Sequence, residues 1–327
     1  MNLQTDLKAN RKGSGVRAVL ASVVILTFRR PDFACRAVRS VLAQRGVDEA
    51  IEILVVDNDA QGSAREPIAA LACEAGPHSS IHYIAEPRPG ISHARNTGVA
   101  AAAGEFIAFL DDDEIAGPDW LASFMATARR FEADIVVGPV QPVFPAGAAV
   151  PAYAKWLYTR DAALPSGSVL TWGGIGNSLL RRTRCFRGPA PFDPRLGLVG
   201  GEDSVFLEQA RQAGCKLVWC AEAAVQETVP VEKLSTAYLL RRVFRSGQTT
   251  SFKPSALQSP RWSAVVRCML VGGLQAAVYG PVGLVLRLCG HPAWLPVLAT
   301  AAIGLGKVLW HPVLHVRNYR LGSSARR

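Results

Sequence analysis

One short stretch, from Gly104 to Trp120, constrains the fold of this chain more than any other. In it an apolar run, Phe106 to Leu110, ends abruptly in four acids, Asp111, Asp112, Asp113 and Glu114. A short uninterrupted apolar run is typical of a strand that is buried on both faces. The acids follow at the point where the strand leaves the sheet, which is the carboxyl edge at which open α/β sheets bind ligands.

Four adjacent carboxylates repel one another, so their placement at a sheet edge suggests a compensating cation. Oxygen ligands suit Mg²⁺ or Mn²⁺, and such ions bind with few protein carboxylates and take other ligands from substrate phosphates. The alternative is a solvated acidic turn that begins the next helix. The sequence on either side of the acids favours the ligand-binding interpretation.

The preceding residues follow the order of a βαβ unit. Ala18 to Leu26 is an apolar, β-branched run, Asp32 to Gln44 has apolar residues at helical spacing, and Ile51 to Val56 is a second apolar run that ends in Asp57. This order predicts a parallel sheet whose strands end in polar residues at one edge. A helix with small residues, Ile91 to Ala103, leads into the Phe106 strand.

The same patterns continue to about residue 230 and then change. They predict an α/β fold with a mostly parallel, Rossmann-like sheet and flanking helices, followed by an apolar helical segment. We predict four regions: a disordered basic tail at 1–17, the α/β domain at 18–230, a basic helical extension at 231–262, and an apolar hairpin with a basic tail at 263–327.

The charge of the chain indicates an anionic partner. Its 36 Lys and Arg exceed its 26 Asp and Glu, for a formal net charge of +10, which suits phosphates or a membrane surface. The basic residues are dispersed and no nucleic-acid recognition motif is spelled, so we expect no nucleic acid as partner. A dinucleotide-binding oxidoreductase would need GxGxxG after the first strand, where this chain has Thr27-Phe28-Arg29-Arg30-Pro31. Seven scattered cysteines without a CxxC pair favour a reducing cytosol.

The C-terminal part has a different character. Two apolar stretches, Cys268 to Leu286 and Pro292 to Leu309, have lengths near the roughly 20 residues that cross a bilayer, although Gln275, Pro281 and Lys307 interrupt them. Because arginines flank their outer ends, the positive-inside rule would keep those ends cytoplasmic. We predict a membrane-associated helical hairpin, spanning or re-entrant. Two buried helices, or helices lying in the membrane interface, are the alternatives.

The order of these motifs resembles the family 2 inverting glycosyltransferases, which have the GT-A fold of nucleotide-diphospho-sugar transferases. The matching stretches are Thr27 to Arg30, Val55 to Asn58, Gly90 to Asn96, Gly104 to Asp113 and Gly201 to Asp203. Within that family, Gly176-Asn177, the segment Arg242 to Gln248 and the apolar tail are most similar to the ExoM-type glucosyltransferases of succinoglycan biosynthesis.

The resemblance implies a metal site and a nucleotide site. The donor would be a UDP-sugar, and Mg²⁺ or Mn²⁺ held by Asp113 and Asp111 would neutralise the charge that develops on its leaving diphosphate. Asp111 and Asp112 would also lie near the nucleotide.

Further residues would bind the donor. The resemblance assigns Asp57 to uracil recognition, with Thr27 and Arg30 beside the base, and places Arg95 against the diphosphate. The alternatives are that Asp57 only ends a strand and that Arg95 is a solvated charge.

The acceptor side would carry the catalytic base. Asp203, supported by Glu202, would remove the proton of the acceptor hydroxyl as it attacks the anomeric carbon from the face opposite the leaving group; the alternative for Asp203 is a helix N-cap. Trp172, Gly173 and Asn177 would line the acceptor site, with core packing as the alternative for Trp172.

Two arginines of the basic extension complete the predicted substrate contacts. Arg242 and Arg245 could bind a diphosphate through bidentate hydrogen bonds, form a solvated helix face, or bind anionic lipid. The predicted function is transfer of a hexose, glucose, from UDP to a polyprenyl-diphosphate-linked saccharide in exopolysaccharide synthesis, with formation of a β linkage at the cytoplasmic face of the bacterial inner membrane. The alternative is a non-catalytic, nucleotide-sugar- or anion-binding membrane adaptor.

Overall fold

The computed structural model describes residues 19–198, 200–257 and 259–314. The predicted basic tails, at 1–17 and at the C-terminal end, lie outside these residues. The described chain divides into two compact units. Unit 1 comprises the described parts of Met1–Gln141, Arg160–Pro194 and Ala210–Glu227, and unit 2 those of Pro142–Thr159, Arg195–Gln209 and Thr228–Arg327.

This division differs from the predicted domain boundaries. Residues 142–159 and 195–209 fall within the predicted α/β domain, yet they group with the C-terminal helices. The hydrophobic cores account for the grouping, because Tyr158 packs in one core with Leu239 and Leu295. Contacts between residues far apart in the sequence therefore define unit 2.

A seven-stranded sheet forms the centre of unit 1. Its members are β1 (Val19–Thr27), β2 (Ala50–Asp57), β3 (Ser79–Ala85), β4 (Phe106–Asp111), β6 (Ile135–Val137), β8 (Ser178–Arg181) and β9 (Leu217–Trp219). The strand order is β3-β2-β1-β4-β8-β6-β9. Only β8 runs antiparallel to its neighbours within this described sheet. The predicted mostly parallel α/β sheet is confirmed, and β8 makes it mixed.

A second sheet has three strands, in the order β5-β10-β7. They are β5 (Glu114–Ala116), β7 (Val140–Val143) and β10 (Val225–Thr228). The pairing of β5 with β10 is antiparallel and sets Glu114 opposite Glu227. The chain therefore turns directly from the acids that end β4 into this second sheet.

Helices flank the large sheet. They are α1 (Pro31–Leu42), α2 (Arg65–Ala70), α3 (Ile91–Ala101), α4 (Trp120–Arg130) and α6 (Arg182–Cys185), with a 3₁₀ turn at Leu71–Glu74. Helices α1 and α4 share a core with the sheet face that carries Val23 and Ile25. Helix α3 packs on the other face, where a Cβ on Gly98 would come within 2.6 Å of Val24. The small residues of α3 allow this close approach.

The remaining helices are α5 (Ala152–Tyr158), α7 (Glu202–Gln212), α8 (Thr236–Ser255), α9 (Trp262–Leu288) and α10 (Trp294–Val308), with 3₁₀ turns at Pro194–Leu196, Val231–Leu234 and Pro312–Leu314. Helices α9 and α10 form an antiparallel hairpin. Their backbones cross closely, since a Cβ on Gly304 would lie 2.5 Å from the carbonyl oxygen of Gly272. Lys307 Nζ donates to Gln275 Oε1 at 2.9 Å, so two polar residues that interrupt the apolar stretches satisfy each other.

The two hairpin helices differ in length. Helix α9 has 27 residues, and by length and composition it could cross a membrane. Only 11% of its apolar 18-residue stretch is buried. Helix α10 has 15 residues, fewer than the roughly 20 that a perpendicular span needs. Length and composition alone are weak support for membrane association, because the core helix of a soluble protein can meet the same test.

Candidate active site

The register of the large sheet brings three predicted site residues to one edge. Thr27 pairs with Asp57, and Leu26 pairs with Asp111. Because β1, β2 and β4 are parallel neighbours, their last residues lie side by side at the carboxyl edge. This is the position at which open α/β sheets bind ligands.

Two side chains that follow or end β1 hold the acids of β4. Thr27 Oγ1 donates to Asp112 Oδ2 at 2.9 Å. Arg30 Nη1 lies 3.4 Å from Asp112 Oδ1 and donates to Asp113 Oδ2 at 3.1 Å. The structure therefore brings Thr27 and Arg30 together with the acidic edge, and an arginine supplies part of the compensating positive charge.

The carboxylate of Asp111 lies against the Gly-rich segment that precedes β8. A Cβ on Gly176 would come within 2.5 Å of Asp111 Oδ2, so a side chain at this position would displace the carboxylate. The segment is held from behind by Arg160, whose Nη2 donates to the carbonyl of Gly176 at 2.6 Å and whose Nε donates to that of Gly138 at 3.0 Å.

Sequence reasoning missed Arg160. It lies in the loop-rich segment 139–165, which has no periodicity that would place it at the site. Its position depends on an isolated bridge with Val140, in which the backbone of each residue bonds the other. No local signal could have identified this residue.

The protonation of two acids depends on burial and on the arginines. Burial raises the pKa of Asp111, against the lowering effect of Arg95, and the charge of Asp113 raises it further. Burial also raises the pKa of Asp112 to about 7, against the lowering effect of Arg30. The edge therefore favours protons or a cation over a full set of bare negative charges.

Glu114 stabilises the turn that follows β4. Its Oε2 accepts a hydrogen bond from the backbone N–H of Asp111 at 3.0 Å, and the residue is buried. Burial, followed by the charge of Asp111, raises the pKa of Glu114 well above its usual range. Glu114 thus closes the turn between β4 and β5.

Two carboxylates could hold a divalent ion. Asp111 and Asp113 are close enough for the charge of Asp113 to raise the pKa of Asp111. Glu114, in contrast, accepts a hydrogen bond from the backbone N–H of Asp111. Among the residues that the structure describes, no group of three or more His, Cys, Asp or Glu forms a metal site. The pair nevertheless fits Mg²⁺ or Mn²⁺, because such ions accept one or two carboxylates and complete their shell with phosphate oxygens and water.

Asp57 is fully buried and organises the loop that follows β2. Its Oδ1 accepts from the N–H of Asp59 at 3.0 Å, and its Oδ2 accepts from the N–H of Ala64 at 2.9 Å and from the hydroxyl of Tyr83 at 3.1 Å. Burial raises the pKa of Tyr83 to about 12, so this hydroxyl stays a donor. A uracil N–H could reach Asp57 only by competing with these framework bonds.

Arg95 is buried, with 4% of its surface exposed. Its guanidinium lies over the ring of Phe192, 5.5 Å from the centroid, and it lowers the pKa of Asp111. The alternative of a solvated helix charge is therefore wrong. A desolvated cation next to the acidic edge suits an anionic ligand.

The predicted acceptor residues of unit 1 differ in exposure: Asn177 is buried, whereas Trp172 is exposed. Asn177 is fully buried, and its amide bonds Pro139 O at 2.7 Å, Ala223 O at 2.9 Å and Trp120 Nε1 at 2.6 Å. This geometry assigns Asn177 to the framework of the site, not to an exposed contact surface.

Trp172 and Gly173 lie on the loop that leads to that framework. Trp172 is 49% exposed, although its ring lies 6.5 Å from that of Trp219. Gly173 is half-buried. The exposed indole face of Trp172 excludes full core packing as its role.

The other predicted residues lie in unit 2. Glu202, which is buried, and Asp203 are the first residues of α7, and Asp203 Oδ1 accepts from the N–H of Ser204 at 2.6 Å. Asp203 lines a cavity together with Arg242 and Arg245. The structure thus gathers the predicted base and the two predicted arginines.

The chain is similar in sequence to known proteins. Residues 22–170 match the sequence model of glycosyl transferase family 2. The succinoglycan biosynthesis protein ExoM of Rhizobium meliloti (strain 1021) is 37% identical over 231 residues, which cover 69% of this chain and 72% of that protein. ExoW of the same strain, also a succinoglycan biosynthesis protein, is 34% identical over 119 residues, or 36% of each chain.

The fold is similar to that of a solved structure. The crystal structure of S. aureus TarS 1-349 matches with a TM-score of 0.50 at 13% identity, covering 89% of this chain and 90% of that one. This likeness concerns the fold, which is the predicted GT-A fold with a mixed sheet and flanking helices. With ExoM similar over more than two thirds of its length, the chain belongs to glycosyl transferase family 2.

Proposed function

We propose that this glycosyltransferase transfers a hexose, glucose, from UDP to a polyprenyl-diphosphate-linked saccharide. The reaction would invert the α-linked donor and form a β linkage. Its place would be exopolysaccharide biosynthesis of the kind in which ExoM and ExoW are named, at the cytoplasmic face of the bacterial inner membrane.

The acidic carboxyl edge of β4 carries this proposal. Asp111, Asp112 and Asp113 meet Thr27 and Arg30 there, where open α/β sheets bind ligands. A binding edge that combines carboxylates with buried and half-buried arginines suits a metal-bound diphosphate better than a neutral ligand. The same edge would serve the nucleotide of the donor.

Each residue of the edge has a task in this reaction. Asp111 and Asp113 would hold Mg²⁺ or Mn²⁺, which when bound supplies neutralising charge to the departing diphosphate. Arg95 adds a fixed positive charge on the same side, since it already lowers the pKa of Asp111. Arg30 and Thr27 keep Asp112 and Asp113 in place. These groups are arranged before the donor binds, so little reorganisation opposes the reaction.

Asp203 is the proposed base. An acceptor hydroxyl must lose its proton as it attacks, and the carboxylate of Asp203 at the first turn of α7 is suited to take it. Glu202 precedes it and is buried, which suits a supporting role. Trp172 would offer its exposed face to an acceptor sugar ring.

The proposal is tested by donor binding and by turnover of the purified full chain. We expect Mn²⁺ to promote UDP binding in calorimetry, and radiolabelled glucose to pass from UDP-glucose to lipid-linked saccharides in a membrane extract. The Asp113→Asn variant should lose both effects. Asp119→Asn is the matched control, because Asp119 is exposed and has no part in the acidic cluster.

Three outcomes would contradict parts of the proposal. If neither Mn²⁺ nor Mg²⁺ strengthens UDP binding, the metal ion has no part in donor binding. Transfer from another nucleotide sugar, with none from UDP-glucose, would replace the donor. Binding of nucleotide sugar without turnover of any lipid-linked acceptor would favour the membrane adaptor.

A further inference from the structure

A cavity of about 310 Å³ lies between the start of α7 and one face of α8 in unit 2. Its wall includes Gly200, Gly201 and Asp203 on one side and Arg242, Arg245 and Lys253 on the other. A cavity of this size holds a small ligand or the polar head of a larger one.

The charge of the cavity is positive. Three cationic side chains line it against the single carboxylate of Asp203 among its described lining residues. Arg242, Arg245 and Lys253 are spaced by three and eight residues along α8, so they lie on one side of that helix. Arg242 is further positioned by the ring of Tyr158, whose centroid lies 4.4 Å from its guanidinium carbon.

The opposite wall is a glycine turn that precedes α7. Gly200 and Gly201 have φ values of +90° and +93°, which L side chains rarely adopt, and they precede the 11-residue helix α7. A Cβ on Gly201 would lie 2.5 Å from Thr249 Cγ2, so the loop lies directly against α8. The positive end of the α7 dipole adds to the attraction of the cations for an anion.

An apolar helix begins beside the cavity. Cys268 Sγ of α9 lies 4.0 Å from the carbonyl oxygen of Thr250, a cavity residue. Arg261 donates to Glu208 Oε1 at 2.8 Å and so holds the start of α9 near α7. From there α9 exposes large apolar side chains, including Leu270 at 70% and Leu274 at 68%. A ligand with a charged head and an apolar tail matches both surfaces at once.

We infer that this cavity binds the phosphate head of the lipid-borne acceptor, with the lipid tail along α9. The inference rests on the proposed function and makes its acceptor more specific. Because Asp203 lines the same cavity, the lipid phosphate and the hydroxyl that attacks the donor sugar belong to the same end of the acceptor. The acceptor is therefore short, with few sugar residues between the lipid phosphate and that hydroxyl.

Binding of farnesyl diphosphate to the full chain in detergent tests the inference. Farnesol supplies the tail alone, inorganic diphosphate the charge alone, and UDP the diphosphate of the donor. We expect farnesyl diphosphate to bind more tightly than farnesol or diphosphate. In the Arg245→Gln, Lys253→Gln double variant its affinity should fall about tenfold or more, because charge-assisted hydrogen bonds are lost, while UDP affinity is unchanged.

The control variant is Lys155→Gln, which removes an exposed cation of unit 2 outside the cavity and should bind every probe as the unaltered chain does. If the double variant does not fold, as judged by circular dichroism, Lys253→Gln alone replaces it and should lose affinity by a few-fold. Unchanged binding of farnesyl diphosphate by a folded variant overturns the inference. The inference is also overturned if the variant loses affinity for UDP and not for farnesyl diphosphate. It is overturned as well if inorganic diphosphate binds to the unaltered chain as tightly as farnesyl diphosphate does.

Failure of the inference differs from failure of the proposed function. If the chain binds UDP and transfers glucose but does not bind farnesyl diphosphate, the inference fails alone. If farnesyl diphosphate binds in the cavity but no nucleotide sugar is bound or used, the proposed function fails, and with it the assignment of the ligand as an acceptor.

Discussion

The acidic edge of unit 1 and the cationic cavity of unit 2 use polar side chains in opposite ways. At the edge, Asp57, Asp112 and Asn177 are buried and bonded to the surrounding protein. In the cavity, Arg242 and the other cations are half-buried and line open space. Side chains of the first kind are part of the framework, whereas those of the second kind border a space that a ligand can enter.

Membership of a family motif does not by itself distinguish residues that contact a ligand from residues of the framework. Asp57 and Asn177 belong to motifs of the family, yet their bonds go to the loops around them. We therefore expect substitutions in the framework of unit 1 to lower stability, and substitutions in the cavity of unit 2 to lower activity with little change in stability.

The Asp203→Asn variant should lose transfer and keep its fold. General base catalysis typically contributes about 10²- to 10⁴-fold, and we expect a loss of rate in that range. UDP binding and the thermal midpoint should not change, since the hydrogen bond that Asp203 makes within the described residues is local, to the N–H of Ser204. Initial rates with a lipid-linked acceptor, calorimetry and thermal melts measure the three quantities. Near-normal transfer would remove Asp203 from the role of base.

The Asn177→Ala variant should be strongly destabilised. It removes three buried hydrogen bonds and leaves Trp120 Nε1 without its acceptor, so we expect a loss of about 3 kcal/mol in the free energy of unfolding. Denaturant unfolding measures it. The control is Trp172→Ala on the same loop, where the exposed side chain should cost much less. Equal losses of stability for the two variants would contradict the assignment of Asn177 to the framework.

The Glu86→Gln variant tests a buried acid by its pH dependence. Burial disfavours ionisation of Glu86, but hydrogen bonds from Arg88 and Thr97 outweigh it and lower its pKa to about 2. A lowered pKa adds stability above the ordinary value of 4.5, and this stability is lost as the pH falls toward about 2. We expect the variant to be less stable by about 1 kcal/mol near pH 7, because the exposed partner Arg88 is screened by water.

The measurement is a series of urea unfolding midpoints for both proteins across this pH range. The difference between the chain and its Glu86→Gln variant should shrink as the pH falls. A difference that stays constant, or that grows in acid, would show that the ion pair of Glu86 with Arg88 does not contribute as described.

The Arg129→Gln variant should have the smallest effect. Arg129 Nη2 lies 3.3 Å from Glu49 Oε1, and both side chains are largely exposed. Exposed pairs contribute little, so we expect a change below about 0.5 kcal/mol in the free energy of unfolding. A larger loss would mean that surface charges of unit 1 also belong to its framework.

The structure also changes how the membrane role can be tested. Helices α9 and α10 cover α8: a Cβ on Gly247 would lie 2.1 Å from the carbonyl oxygen of Ile303, and Gln248 Nε2 donates to Leu309 O at 2.8 Å. Removing both helices would expose this part of α8 and disturb the cavity. Polar substitution of exposed residues such as Leu270 and Leu274 in the full chain is therefore the cleaner test of membrane binding.

Local patterns in the amino-acid sequence predict the α/β fold, the sequential order of the main strands and the acidic edge. These depend on local patterns: a buried strand is a short apolar run, and the residue after it necessarily lies at the sheet edge. The helical hairpin also followed from two local apolar runs. Periodicity over neighbouring residues is sufficient for such features.

The distinction between polar residues of the framework and those that line open space depends on tertiary contacts. The antiparallel insertion of β8, the support of Gly176 by Arg160 and the grouping of residues 142–159 with the C-terminal helices depend on contacts between distant parts of the chain. Burial of Asp57 and Asn177 depends on the same contacts. A local pattern does not specify them, because the free energy of burying a polar group depends on which partners the rest of the fold brings to it.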